Sequence, residues 1–250
     1  MSNNATKTAI IIPARYGSTR LEGKPLLEVD NKPIIQWVVE TAKCVDGVDY
    51  VIVATDDERI FDACKKFGAD VEMTSTEHKS GTDRIAEVVD RHSDIKYIVN
   101  LQGDEPMMPK DAIQLVIDSL KNNNNADIST LIRPENNEEE LNNPNLVKCV
   151  ISNDNFALYF SRSKIPFERN PITGDFYAHL GIYGYTREAL FKMRELPQSS
   201  LERTESLEQL RALQNGLKII TNVVNIKPIG IDTIEDFERF KAAKLLTNSI

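Results

Sequence analysis

Cysteine is scarce in this chain: Cys44, Cys64 and Cys149 are the only three among 250 residues, with no C-x-x-C pair. An odd, scattered set excludes a disulfide framework and predicts reduced, buried thiols. Histidine is equally sparse, and His78, His92 and His179 lack the spacing of a zinc site. No apolar run approaches the roughly 20 residues of a membrane span. Met1–Thr8 carries Lys7 but no apolar leader core, and the run Ala9–Ile12 stops at Pro13. A cytoplasmic protein is expected. Basic residues are in the minority, 30 Lys+Arg against 38 Asp+Glu, for a net charge of −8. A general nucleic-acid surface needs the opposite balance, so no nucleic-acid partner is expected. Any anionic small molecule would need a focused positive site.

What is present is a chain 41% hydrophobic with 11 Gly and 11 Pro, enough for one large α/β domain over residues 1–250. Thr8–Ile12, Val48–Ala54, Tyr97–Leu101 and Asp127–Ile132 are short Ile- and Val-rich runs that predict buried strands. Between them Ile34–Cys44, Glu58–Phe67, Asp83–His92 and Asp111–Lys121 have helical spacing; in the first, Ile34, Ile35, Val38, Val39 and Ala42 share a face. This alternation predicts a doubly wound, mostly parallel sheet with right-handed crossovers. Ligands of such sheets sit beyond the carboxyl ends of the strands. From about residue 146 the rhythm changes. Leu146–Ser152 and Phe156–Phe160 flank Asn153-Asp154-Asn155 and predict an antiparallel hairpin, with Tyr177–Tyr185 a further strand. Residues 146–200 are expected to form a small antiparallel lobe. Thr204–Asn215 then predicts one helix, Lys218–Val224 a strand, and Thr233–Leu246 the last helix.

The most informative stretch follows the first strand: Arg15-Tyr16-Gly17-Ser18-Thr19-Arg20-Leu21-Glu22-Gly23-Lys24-Pro25-Leu26. Glycines let a backbone approach an anion, and backbone N–H groups with clustered cations can hold phosphate. It is not a P-loop: five residues separate Gly17 from Gly23, and Pro25 stands where the magnesium-binding hydroxyl belongs. Nor is there a G-x-G-x-x-G. A longer, cation-bearing loop suits a triphosphate cleaved between its α- and β-phosphates, where charge builds on departing pyrophosphate. Two acids follow predicted strands: Asp104 after Tyr97–Leu101, and Asp232 after Pro228–Ile231. Together they could hold Mg²⁺ with water and phosphate oxygens. Alternatively Asp104 is a turn residue and Asp232 caps the last helix.

The loop, with Ile98–Pro106, Asn143–Lys148, Ala157–Pro166, His179–Tyr185, Leu207–Arg211 and Gly230–Thr233 in this order and spacing, resembles the 3-deoxy-manno-octulosonate (Kdo) cytidylyltransferase family nearly end to end. One departure is Glu22, where that family usually has Pro. An added carboxylate should weaken anion binding slightly unless it points away or pairs with Arg20 or Lys24.

The resemblance implies a nucleotide-diphospho-sugar-transferase-like fold and transfer of CMP from CTP to Kdo, activating it for lipopolysaccharide biosynthesis. Another acid sugar (8-amino-Kdo or a sialic acid) or a non-catalytic nucleotide-binding module is the alternative. Arg15, Lys24 and Asp104 are then catalytic. Ser18 and Arg20 assist at the triphosphate. Ser80, which could otherwise simply cap the next helix, and Gln102, which can donate and accept, lie at the base. Asp104 and Asp232 become the Mg²⁺ ligands, with Glu105 turned away. Arg162 can pair with the sugar carboxylate, and His179, Glu208 and Gln209 hold its hydroxyls. The family is commonly a homodimer, and Ile165–Tyr185 is the expected contact surface.

Overall fold

The computed structural model describes residues 6–17, 21–170 and 175–247. They divide into two compact units, residues 1–114 with 228–250, and residues 115–227.

The first unit begins with β1 (Lys7–Ala14), buried from Thr8 through Ala14. A strand buried on both faces reads as a continuous apolar run, as Ala9–Ile12 does. A 3₁₀ turn (Lys24–Leu26) leads into the hairpin β2 (Glu28–Val29) and β3 (Lys32–Pro33). Asp30 and Asn31 both take positive φ there, 54° and 59°, as a tight two-residue hairpin turn requires. Then follow α1 (Ile34–Lys43), β4 (Tyr50–Thr55), α2 (Glu58–Lys66), β5 (Asp70–Met73), α3 (Gly81–Arg91) and β6 (Ile95–Asn100); α4 (Lys110–Asn122) starts in this unit and ends in the second. Apart from the antiparallel β2–β3 hairpin, the pairings are parallel: β1 lies between β6 and β4, and β5 pairs outside β4. Ile11 is opposite Ile52 on one side and Asn100 on the other. The chain thus winds outward from β1 through β4 and β5, then returns to place β6 on β1's other edge. The β1/β6 boundary is a topological switch point, where loops diverge and leave a crevice.

The last helix, α9 (Ile234–Thr247), belongs to this unit. Its Phe237 and Phe240 are buried with Ile231, Val29 and Ile34, each phenyl ring contributing about 1.5–3 kcal/mol. Leu21, Leu27 and Trp37 pack on the same cluster. Trp37 meets Phe240 edge-on at 6.2 Å, and the Lys244 ammonium lies 4.2 Å from the indole centroid.

The second unit contains β7 (Ile128–Pro134), α5 (Glu138–Asn142), β8 (Lys148–Ile151), β9 (Ala157–Ser161), β10 (Tyr177–Thr186), α6 (Arg187–Glu195), α7 (Ser200–Glu205), α8 (Gln209–Gln214) and β11 (Ile219–Val223). β11 runs parallel to β7, β10 antiparallel to β7 and β8, and β8–β9 is the expected hairpin. Gly184 in β10 has no room for a side chain: a Cβ would stand 2.7 Å from Val116 Cγ1 and 2.8 Å from Leu120 Cδ1, and closer still to Ser129 Oγ. Gly184→Ala is expected to lower unfolding free energy by about 1–3 kcal/mol through overpacking, read as an earlier urea midpoint at unchanged slope.

The α/β class and its mostly parallel sheet form as expected. Three local expectations do not hold. Thr204–Asn215 is not one helix; Ser206 turns left-handed at φ 53° and separates α7 from α8. The break returns the chain so that Arg211 reaches Glu202, a buried pair nine positions apart in sequence. Pro228–Ile231 forms no strand and is tied instead by Ile231 N–H to the Asp104 carbonyl at 2.8 Å. Cys64 and Cys149 are buried thiols, but Cys44 is exposed. Among the described residues no helix is long and apolar enough to cross a membrane.

Candidate active site

The switch point of the first unit opens a cavity of about 390 Å³. Arg15 and Gly17 reach it from the end of β1, Lys24 from the 3₁₀ turn, Gly81 from the start of α3, and Gln102 and Asp104 from the end of β6. Parallel pairing brings the β1 and β6 loops side by side, and Leu101 N–H continues it to the Ile11 carbonyl at 3.2 Å. Gly103 makes the close approach possible, since a Cβ there would stand 3.0 Å from the Pro13 carbonyl oxygen.

Arg15 is aimed by main-chain acceptors: its Nη2 donates to the carbonyls of His78 at 2.7 Å and Ser80 at 3.2 Å. Burial lowers its pKa, repulsion from Arg84 adds to this, and Asp56 and Asp83 oppose it. A guanidinium stays charged regardless. Arg84 is 0% exposed and is ion-paired to Asp56.

Lys24 is the centre of the site. Its Nζ donates to Asp104 Oδ2, to the Ile231 carbonyl at 2.9 Å and to Asp232 Oδ1 at 3.1 Å. Burial lowers the ammonium's pKa, but Asp104 and Asp232 outweigh it and the net shift is upward. The two aspartates, 128 positions apart, therefore meet on one loop cation. The alternative role of Asp232 as helix cap falls to its neighbour: Thr233 Oγ1 accepts from Asp236 N–H at 3.2 Å, and Asp236 Oδ2 accepts from Thr233 N–H at 3.0 Å. Glu105 is not simply turned away. Its Oε2 is enclosed without a hydrogen-bond partner. Burial first, then the charges of Asp104 and Asp232, push its pKa up to about 8.

The donor set suits a hard cation. Asp104 Oδ2, Asp232 Oδ1 and the Ile231 carbonyl already surround one positive charge, that of Lys24. Mg²⁺ favours such oxygens, few in number and completed by water and phosphate. Among the described residues no cluster of three or more His, Cys, Asp or Glu is arranged for a metal.

The remaining nucleotide candidates are placed as follows. Ser80 is a helix cap in this structure: its Oγ accepts from Asp83 N–H at 3.1 Å and its N–H donates to Asp83 Oδ2 at 3.2 Å, leaving Gly81 to face the cavity. Gln102 lines the cavity and donates to Asn100 Oδ1 at 3.0 Å. Ser18 and Arg20 lie outside the described residues. Glu22 is exposed, and Lys24 pairs with the aspartates.

The sugar-acid candidates lie in the second unit. Arg162 acts as a strut: Nε donates to the Glu205 carbonyl at 2.7 Å, Nη1 to Pro144 at 2.9 Å and Nη2 to Ser206 at 3.3 Å. The buried Lys148 ammonium binds the Arg162 carbonyl and those of Asn143 and Leu146. His179 Nε2 lies 2.9 Å from Thr130 Oγ1, whose hydroxyl donates to the Ile182 carbonyl at 2.7 Å, so the imidazole is the donor. It packs against Phe160 and Tyr183, at 5.0 and 5.3 Å between ring centroids. Glu208 opens α8 and lies 3.5 Å from Arg211, while Gln209 is buried behind it. Burial, then Tyr185 and Glu208, raise the Tyr183 phenol well above its ordinary value.

Burial pushes the His179 pKa down to about 3. The unfolded chain gains this proton near pH 6.5 while the folded chain does not. Stability is therefore unaffected by this group above that pH and falls as pH drops from about 6.5 toward 3, by at most about 1.4 kcal/mol per unit. Urea midpoints at pH 7.5 and 5.5 should differ less for His179→Gln than for the wild type; an unchanged gap would contradict the buried neutral ring.

Residues 9–219 match the family described as cytidylyltransferase. A 3-deoxy-manno-octulosonate cytidylyltransferase of Thermodesulfovibrio yellowstonii is 49% identical over 92% of this chain and 95% of its own. One from Parabacteroides distasonis is 46% identical over 95% and 97%. The solved CMP:2-keto-3-deoxy-manno-octonic acid synthetase complexed with CTP superposes with a TM-score of 0.92 at 41% identity, covering 98% of this chain and all of that one. At 15% identity and a TM-score of 0.64, a 4-diphosphocytidyl-2C-methyl-D-erythritol synthase from Anaerococcus prevotii shares the fold.

Proposed function

Because this chain belongs to the 3-deoxy-manno-octulosonate cytidylyltransferase family, we propose a division of labour among its residues for that reaction. The enzyme transfers CMP from CTP to Kdo and releases pyrophosphate. In our reading the first unit takes the nucleotide. Arg15, held on the His78 and Ser80 carbonyls, and Lys24 bind the triphosphate and meet the charge that grows on the leaving group. Ser18 and Arg20 assist them, and Gln102 beside Gly81 receives the base. Asp104 and Asp232 would hold Mg²⁺, with Glu105 behind them. When bound, the ion supplies charge at the α-phosphate and acidifies the acceptor hydroxyl.

The acceptor's C2 oxygen forms a bond to the α-phosphorus as the bond to the bridging oxygen of the β-phosphate breaks. The hydroxyl proton departs on the Asp104 side, since no His or Lys stands out there as a dedicated base. His179, Glu208 and Gln209 of the second unit are the groups given to the sugar acid. Arg162 is left out, its guanidinium being tied to main-chain carbonyls. Two copies pairing through Ile165–Tyr185 belong to the same reading, which the 88% exposure of Phe167 supports.

One observation carries this reading: Lys24 of the first loop, which lines the cavity with Asp104, binds both Asp104 and the remote Asp232. The test is pyrophosphate release from CTP and Mg²⁺ with Kdo, 8-amino-Kdo and a sialic acid as acceptors. Release is expected with Kdo. No release with any acceptor, despite CTP binding, would overturn the proposal.

A further inference from the structure

Arg59 stands outside the cavity yet reaches the framework of the cationic loop. It is the second residue of α2, whose cap Asp57 accepts from Arg59 N–H at 2.9 Å. The Asp57 carboxylate also grips the guanidinium at both ends, Nε to Oδ1 at 2.9 Å and Nη2 to Oδ2 at 2.6 Å. So held, the guanidinium lies over Tyr16, its Cζ 3.2 Å from the ring centroid. Tyr16 is bound in turn to the residue that precedes Lys24: Gly23 N–H donates to the Tyr16 carbonyl at 2.9 Å. Gly23 takes φ +68°, and a Cβ there would stand 3.0 Å from the Tyr16 ring. The Gly23 carbonyl then starts the 3₁₀ turn, accepting from Leu26 N–H at 2.9 Å. An unbroken series of contacts runs from Asp57 through Arg59 and Tyr16 to Gly23 and Lys24.

A guanidinium is suited to this place, since its face can lie over a ring while its edge stays in a carboxylate fork.

From these contacts we infer that Arg59 is a positioning residue for the nucleotide: it clamps Tyr16 so that Gly23 presents Lys24. The inference rests on the cytidylyltransferase reading above. Arg59 stands apart from the residues that line the cavity, so its loss should loosen the loop without removing a charge from the site.

The experiment is steady-state kinetics of the enzyme with CTP and Kdo for wild type, Arg59→Ala, Arg59→Lys, Tyr16→Leu and the Arg59→Ala/Tyr16→Leu double variant, with Tm recorded for each. Arg59→Ala is expected to raise KM for CTP about two- to fivefold, the scale of an exposed cation–π contact, and to lower kcat by no more than that factor. Arg59→Lys restores part of it, because charge returns but the guanidinium fork does not. In the Tyr16→Leu background, Arg59→Ala raises KM less than it does in the wild type, a coupling that a merely structural arginine would not produce. Equal KM values in wild type and Arg59→Ala, a fall in Tm with no change in KM, or additive effects in the double variant would each overturn the inference. An inactive wild type would refute the functional reading itself and is recognised separately.

Discussion

Lys24→Met is expected to lower turnover at least tenfold and, in the enzyme without nucleotide, to tighten divalent-ion binding. The two effects have one cause. The ammonium sits among Asp104 Oδ2, Asp232 Oδ1 and the Ile231 carbonyl, so it competes for the oxygens that a divalent cation would use. Removing it leaves two carboxylates with their mutual repulsion unrelieved, and an added cation relieves it. The same removal takes away a charge needed at the departing pyrophosphate, where the loss of one such contact costs roughly 10²–10³ in rate. Methionine keeps the length of the stem in a half-buried channel, so packing changes little. Pyrophosphate release gives the first quantity and calorimetric titration with Mg²⁺ or Mn²⁺ the second. Wild-type turnover would remove Lys24 from the mechanism. Ion affinity that stayed the same or fell would show that the lysine does not contest the cation's place.

Asp104→Asn should have the other large effect, a loss of at least tenfold in turnover with divalent affinity weakened rather than strengthened. The substitution is nearly isosteric, and the main chain at this position is held independently by Ile231 N–H on the Asp104 carbonyl at 2.8 Å. The fold should therefore persist, and circular dichroism with thermal unfolding separates a lost charge from a lost structure. Asp232→Asn should act in the same direction. Retention of both turnover and ion affinity in Asp104→Asn would place the metal elsewhere.

Parts of this arrangement were legible in the residues alone. The run Ala9–Ile12 could be only a strand covered on both faces, and the Ile34–Ala42 stripe only a helix, because apolar periodicity is local information. Lys24 stands out as a cation in a glycine-bearing loop, whereas Asp104 and Asp232 read equally as a turn residue and a helix cap, and only the family resemblance singles them out as ligands. The anchor of Arg15 was not: its partners are the carbonyls of His78 and Ser80, and every residue has a carbonyl. Nor was the break at Ser206, which is set by where Arg211 finds Glu202 rather than by any helix breaker in the segment. The cap at α9 was misplaced by one residue in the reading that gave it to Asp232; Thr233 and Asp236 share it instead. Glu105 shows the same limit in electrostatic form, since nothing in Gln102-Gly103-Asp104-Glu105-Pro106 announces that the fourth residue is enclosed beside two charged neighbours.

Trp37 is the sole tryptophan of the chain, and its ring rests against Phe240 of the helix that begins just after Asp232. The intrinsic emission of this protein therefore has one indole source, and that source adjoins the joint where the chain's end is fastened to its beginning. A red-shifted spectrum reports that the C-terminal helix has come away and taken Asp232 with it; a spectrum that stays blue after a substitution reports that the acid is still delivered. No label has to be attached to follow this, because the molecule carries the gauge itself.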